Sequence, residues 1–491
     1  MDHAVESVNA VLEAVSAFIW GPFLLIPLLL LSGVVLTARL GLIQVRRLGP
    51  ALRLGLLKRS DDAGEGDISQ FQSLTTALAA TVGTGNIVGV ATAVGIGGPG
   101  ALFWMWVTGT TGMALKYAES FLAVRFRTTD AAGEKSGGPQ YYLERGIRGP
   151  LGKTLGVLFA VFASLACFGI GNMTQGNSIA TNMEASFGVA PWLTGAVLTV
   201  LTGVVLLGGI KSIGKVTAAF VPVMIALYIG STLFILAVNV AEIPAAFALI
   251  FSDAFTGTAA AGGFAGSTLA LVVQMGMARG MFSNESGMGS AAVAAAAAQT
   301  THPVRQGLVS MTQTFIDTMI VVTFTGLALI TTGMWRQGEE AAATMTGQAF
   351  STGLPGEWGH MIVTLGLLMF AFSTILGWSY YGERNVERLF GRSAVPVFRG
   401  IFTLVVFVGC TQELTLVWNV ADIMNGMMAL PNLIGLVLLS GLIARETRAY
   451  LRHDPSLRAS AADVERFMAD DPGYRQWREA EHASPSVPGT A

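Results

Sequence analysis

The chain has 491 residues, 52% of them hydrophobic and only 12% charged, and its mean hydropathy is +0.59. Soluble domains carry about 25% charged residues, so this density excludes a string of soluble domains and indicates an all-α polytopic membrane protein whose solvent is the lipid bilayer. A net charge of −2 leaves no basic domain for nucleic acid, and two cysteines and five scattered histidines supply neither a metal-ligand spacing nor a nucleophile motif, which disfavours an enzyme.

Crossing a hydrocarbon core of about 30 Å takes about 20 apolar residues as a helix. Eleven segments qualify: 18–38, 71–97, 99–122, 151–171, 191–209, 213–238, 262–299, 308–332, 361–381, 395–411 and 416–445, with Pro431 interrupting the last. The acidic start (Asp2, Glu6, Glu13) has no basic region or cleavage site, so the first segment is expected to be a retained helix. Basic residues then set the orientation. Arg46, Arg47 and Arg53 follow the first segment, Arg125 and Arg127 the third, Lys211 and Lys215 the fifth, Arg305 the seventh and Arg384, Arg388 and Arg392 the ninth. Every second loop is basic, which predicts an N-terminus outside and a C-terminus in the cytoplasm of a plasma (inner) membrane. The polar tail from 446 is expected to form a short helix and then disorder.

Two segments carry helix breakers and polar groups at mid-depth. The second contains Thr81-Val-Gly83-Thr84-Gly85-Asn86; the seventh contains Gly262, Gly263 and Gly266, then Arg279-Gly280-Met-Phe282-Ser283-Asn284-Glu285. Irregular backbone inside a bilayer is tolerated only where protein or a wet cavity satisfies it. Four spans separate the two segments, so segments two to six and seven to eleven form two sets of five, and the second set enters from the opposite side. Discontinuous helices in matching positions of inverted halves point to a midplane site. The expected divisions are 1–70 (extra helix and basic loop), 71–240 and 241–445 (the two repeats) and 446–491 (tail).

The run Gly97-Gly98-Pro99-Gly100-Ala101-Leu102-Phe103-Trp104-Met105-Trp106-Val107 resembles the signature of the sodium:alanine (alanine or glycine:cation) symporter family. Thr81–Gly89, Asn172–Ser178 and Arg279–Ser290 resemble further motifs of that family, and the similarity covers roughly 10–450; Ser286 stands where the family more often has Ala. The resemblance implies sodium- or proton-coupled uptake of small neutral amino acids, no organic cofactor, and the five-plus-five inverted fold of the leucine-transporter class behind one extra N-terminal helix.

A zwitterion needs partners for both poles in a low-dielectric site. The amides that open a half-helix suit a carboxylate, which assigns Gly83, Thr84, Gly85 and Asn86 to that pole. Gln175 and the carbonyls of segment seven are assigned to the ammonium. Two breaks in segment seven stay open, Gly263-Phe264-Ala-Gly266 and Gly280–Glu285 with Phe282, Ser283 and Asn284, the second being favoured; Phe282 or Phe264 caps the substrate methyl. Ser373 and Thr374, which resemble the sodium ligands of the leucine-transporter class, join carbonyls near Ala80 and Gly83 as the sodium site. Lys116 with Glu119, three apart on one helix, and Arg279 with Glu285 are expected to pair or gate. Asp317 and Asp422 are candidate proton or cation carboxylates, and Asn425 and Asn432 are expected to serve the break at Pro431.

Overall fold

In the computed structural model the described residues are 2–21, 23–59, 61, 64–256, 269–338, 342–353, 358–412 and 415–482. They are almost entirely helical. The first expected span divides in two: α1 (Asp2–Ile19) precedes α2 (Leu25–Arg39). α1 lies along the last long helix, where Trp20 Nε1 donates to the Asp422 carbonyl at 3.0 Å and Asn419 Nδ2 to Asn9 Oδ1 at 2.6 Å. The basic loop that follows folds into α3 (Ile43–Arg46), α4 (Leu48–Leu52) and a π turn (Arg53–Lys58).

α5 (Gln70–Thr81) starts at a capping box, in which Ser69 Oγ accepts from the Gln72 amide and Gln72 Oε1 from the Ser69 amide. It stops at Val82, and a π turn (Gly85–Gly89) and α6 (Val90–Gly97) continue at 57° to it. α7 (Gly100–Arg125) ends in a hairpin of β1 (Thr128–Thr129) and β2 (Lys135–Ser136), antiparallel with Thr128 opposite Ser136. α8 (Pro139–Ile147) and α9 (Pro150–Phe168) both open with proline at the first turn, where its missing amide costs nothing. A π turn (Gly169–Met173) joins α9 to α10 (Thr174–Phe187), so the fourth span runs sixteen residues past its expected end at 171. α11 (Pro191–Leu207), α12 (Gly209–Val238) and α13 (Ile243–Thr256) follow.

α14 (Leu269–Asn284) and α15 (Ser290–Ala296) are the two parts of the seventh segment. Then come α16 (Pro303–Thr314), a π turn (Phe315–Val322), α17 (Thr323–Thr331), α18 (Ala342–Gly353), α19 (Trp358–Phe390), α20 (Ala394–Thr411) and α21 (Thr415–His453). α21 passes through Pro431 without stopping, contrary to the expected interruption. The tail adds α22 (Ala461–Met468) and α23 (Pro472–His482).

Among the described residues six helices are long and apolar enough to cross a membrane, and the bent α5–α6 pair makes a seventh. The faces they show outward are apolar, as lipid requires: Val200 and Val204 on α11, Val223 on α12 and Leu404 on α20 are each at least 60% exposed. The polar side chains collect inside instead. Asn86, Lys116, Glu119 and Asp317 have no exposed surface at all, and α5, α7, α14, α16, α19 and α21 pack around them.

Candidate functional site

Each broken helix leaves backbone groups that its own turns no longer pair. At the first break the Gly83 amide donates to Asn86 Oδ1 at 3.1 Å, and the Gly83 carbonyl accepts from the Asn86 amide at 3.2 Å. Gly83 is required by space: a Cβ there would stand 2.6 Å from Thr374 Oγ1. At the second break, residues 285–289, three positions take a positive φ: Glu285 (53°), Gly287 (92°) and Gly289 (81°). Glycine adopts such angles freely and glutamate does not, so Glu285 is held there by its partners.

Those partners are the charges of α7. Lys116 Nζ donates to the Glu285 carbonyl at 3.0 Å, and Glu119 Oε1 accepts from the Gly289 amide at 2.9 Å and from Asn432 Nδ2 at 2.7 Å. Asn432 Nδ2 also donates to the Gly287 carbonyl at 2.8 Å. Lys116 and Glu119 therefore do not pair with one another as expected; they brace the two ends of the unwound strand, whose Glu285 carbonyl also accepts from the Met288 amide at 3.4 Å. Asn432 serves this break rather than one at Pro431.

Between the breaks lies a small cavity. Gly83, Thr84 and Gly85 form one wall, Gln175 and Ile170 another, and Phe282, Glu285, Trp378 and Asn425 the rest; Ala80 and Thr374 lie at the α5 end. Gln175 follows the π turn of the fourth span and so sits beside the cavity rather than at the outer end of its helix. Its Nε2 donates to Thr84 Oγ1 at 3.3 Å and to the Ile170 carbonyl at 3.0 Å, while its Oε1 has no hydrogen-bond partner. Asn425 Oδ1 is likewise buried and unpartnered. Glu285 presents a carboxylate oriented by Trp378 Nε1 at 2.9 Å and Ser290 Oγ at 2.6 Å. Two orphaned acceptors and a carboxylate converge on one small space, and their natural partner is a group that only donates.

Other expected site residues lie elsewhere. Asn86 does not line the cavity: its Nδ2 donates to Asp317 Oδ1 at 2.8 Å, while Ser283 Oγ and Thr318 Oγ1 donate to Asp317 Oδ2 at 3.0 and 2.9 Å. Asn284 turns to Thr318 Oγ1 and to the Ser286 amide. Gly280 packs against Thr108 and Met105 of α7, where a Cβ would overlap Thr108. Ser283, Asn284 and Gly280 thus form the back of the helix whose front carries Phe282. Gly263, Phe264 and Gly266 lie outside the described residues.

Arg279 and Glu285 make no ion pair: Arg279 lies on α14 and Glu285 just past its end in the break, and they face different spaces. Arg279 borders a second cavity of about 1170 Å³ together with Asp422, Glu13 and Trp20, and Phe282 lines both cavities. Asp422 is therefore a wall of this vestibule, separate from the inner cavity. Ser373 Oγ and Thr374 Oγ1 both donate to the carbonyl of Ala79, at 3.2 and 3.1 Å, and to that of Phe370, at 2.8 and 3.1 Å. The carbonyl they meet is Ala79's, one residue before Ala80, and Gly83's is engaged by Asn86. Two hydroxyls and two carbonyls form an oxygen cluster of the kind a hard cation takes.

The pattern defining the "Sodium:alanine symporter family" matches residues 5–463. The chain belongs to that family. It is 52% identical over 445 residues to the "Sodium/alanine symporter AgcS" of Methanococcus maripaludis, covering 90% of this chain and 97% of that protein. It is 37% identical over 431 residues to the "Probable sodium/glutamine symporter GlnT" of Bacillus subtilis, covering 87% and 88%. In three dimensions it is similar to MhsT, solved in complex with L-phenylalanine, with a TM-score of 0.56 at 14% identity over 85% of this chain and 96% of that one. The chain is thus a multi-pass membrane transporter of cation-coupled amino-acid symport, with a leucine-transporter-like fold.

Proposed function

We propose that the protein imports small neutral amino acids such as alanine or glycine, coupled to sodium, by alternating access at the cavity between the two helix breaks. The observation that carries this reading is the meeting of buried, unpartnered Gln175 Oε1 and Asn425 Oδ1 with the Glu285 carboxylate in one small cavity. An α-ammonium satisfies all three. The helix beginning at Thr84 and Gly85 receives the carboxylate on its first amides, and a short side chain faces Ile170 and Phe282. Phe282 closes the site from the vestibule. Sodium takes the oxygens of Ser373, Thr374 and Ala79, which brings α19 and α5 together and holds the first break in its binding shape.

The architecture that goes with this is eleven spans, five-plus-five inverted behind one extra helix, with the N-terminus outside; the matched positions of the two breaks and the alternation of basic loops support it. One sodium ion entering through about 100 mV releases roughly 2.3 kcal/mol, and a tenfold gradient adds about 1.4 kcal/mol. The sum, about 3.7 kcal/mol, sustains accumulation of a neutral solute by roughly 500-fold. Ion and substrate that favour the same closed state raise each other's affinity equally.

The test is uptake of labelled alanine into proteoliposomes under an imposed sodium gradient, against an equal potassium one. Sodium-dependent accumulation above equilibrium is expected. Proton coupling is the second reading, favoured by the complete burial of the Asp317 carboxylate. Uptake that ignores sodium and collapses with a protonophore would transfer the coupling to that residue.

A further inference from the structure

The basic face of the protein holds a feature that transport does not use. Arg46 and Arg47 at the end of α3 and Arg448 and Arg452 near the end of α21 border one cavity of about 580 Å³. They come from segments some 400 residues apart, so local sequence does not explain their meeting. The nearby acids are engaged elsewhere: Glu446 pairs with Arg125 at 3.1 Å, and Asp454 accepts from Tyr450 and from the amides of Arg458 and Ala459. Arg47 Nη1 donates to the Pro455 carbonyl and Arg448 Nε to that of Ala444. Among the described residues none of the four guanidiniums has a carboxylate within ion-pair distance, so four like charges share one concavity with no anion of the protein's own.

The floor beneath them is apolar, made by Leu40, Ile43 and Leu451. Leu42 and Val45, next in the chain to Ile43 and Arg46, are 53% and 67% exposed. α2, whose Leu31 and Val34 are exposed as lipid-facing residues are, ends directly above at Arg39. A surface with arginine forks facing an apolar shelf at the end of a spanning helix matches a phosphodiester attached to acyl chains. We propose that this cavity binds the headgroup of an anionic phospholipid, with Arg46, Arg47, Arg448 and Arg452 on the phosphate and Leu42 and Val45 against the first carbons of its chains.

The same guanidiniums would also accept free phosphate, and the experiment separates the two. The full-length protein, purified in detergent, is titrated with dioctanoyl phosphatidylglycerol, dioctanoyl phosphatidylcholine or inorganic phosphate, and bound molecules are counted by native mass spectrometry. One phosphatidylglycerol is expected to bind at least about tenfold more tightly than phosphatidylcholine. R448Q/R452Q and, from the other segment, R46Q/R47Q should each weaken it by about thirtyfold, at the usual contribution per arginine near an anionic surface. R466Q, at a side chain 77% exposed on α22, should leave it unchanged. Equal binding of the two lipids, or no loss in either double variant, overturns the proposal. Displacement of phosphatidylglycerol by equimolar phosphate overturns it as well, by assigning the cavity to a free anion. Two variants on separate segments keep the test decisive if one of them fails to fold.

Discussion

Gln175 and Asn425 show how much one unpartnered atom can say. A buried acceptor without a donor costs about 1–3 kcal/mol, a cost that an arriving ammonium removes. Gln175→Ala should therefore raise the dissociation constant for alanine by about fivefold to 150-fold at that magnitude, with sodium affinity in the absence of substrate nearly unchanged; equilibrium binding of labelled alanine and a sodium titration would check both. Asn425 escaped sequence reading because an asparagine beside Pro431 looked like local repair, and Trp378 because one tryptophan in an apolar helix looks like packing. Gly83 to Gly85 were legible, since two glycines and two polar side chains at mid-span have few structural uses.

His302 offers a second residue-scale test, on the basic face. Its Nδ1 accepts from the Val304 amide at 3.2 Å, capping α16, and its ring lies between Tyr450 and Tyr474 with centroids 4.3 and 5.6 Å away. Burial, then Arg305 and Arg125, holds its pKa well below the ordinary 6.5. The neutral form is thus the one the fold requires, and its contribution is complete above pH 6.5 and lost as pH falls below that value towards the folded pKa. Thermal midpoints between pH 7.5 and 5.5 should fall more steeply for the native chain than for His302→Asn, which keeps a capping acceptor without the titration. Parallel slopes would remove His302 from the pH response.

At the scale of elements, the breaks depend on helices far away in sequence. Lys116 and Glu119 lie one turn apart on α7 and brace the Glu285 carbonyl and the Gly289 amide. The pair and its helical spacing are legible in the sequence, but the unwound strand 170 residues on that they serve cannot be read from α7 alone. Among the described residues π turns at 85–89, 169–173 and 315–322 bring Gly85, Ile170 and Asp317 to the centre, and no residue pattern marks the last two. Lys116→Met should destabilise by about 1–3 kcal/mol by leaving the buried Glu285 carbonyl with the longer Met288 amide bond at 3.4 Å. Because both side chains hold one strand, Lys116→Met with Glu119→Leu should cost less than the sum of the two singles. A double-mutant cycle on unfolding free energy that closes to simple additivity would mean the two ends are held independently.

At the scale of the whole molecule, the tail, expected to be a short helix followed by disorder, forms two packed helices through residue 482. Trp477 of α23 is 1% exposed and donates to the Val124 carbonyl at 3.2 Å. Glu481 beside it bonds Arg127, whose other donors reach the carbonyls of Ala296, Ala298 and Glu65, and it lies 3.7 Å from Lys135. Glu65 precedes α5 and Ala296 ends α15, so one carboxylate anchors the arginine that ties together the basic-side ends of both broken helices. The family pattern stops at 463, and α23 lies wholly beyond it; its apolar spacing is too short to have signalled burial. Removing one member of a buried ion pair leaves the other charged and unpaired, at about 3–5 kcal/mol. Glu481→Ala should therefore lower the thermal midpoint markedly and speed hydrogen exchange at residues 64–68 and 296–302. Glu465→Ala on the exposed side of α22 should stay within about 0.5 kcal/mol of the native chain. If Glu481→Ala behaves like Glu465→Ala, Arg127 holds those ends through its carbonyl bonds alone, and the tail is dispensable to the fold.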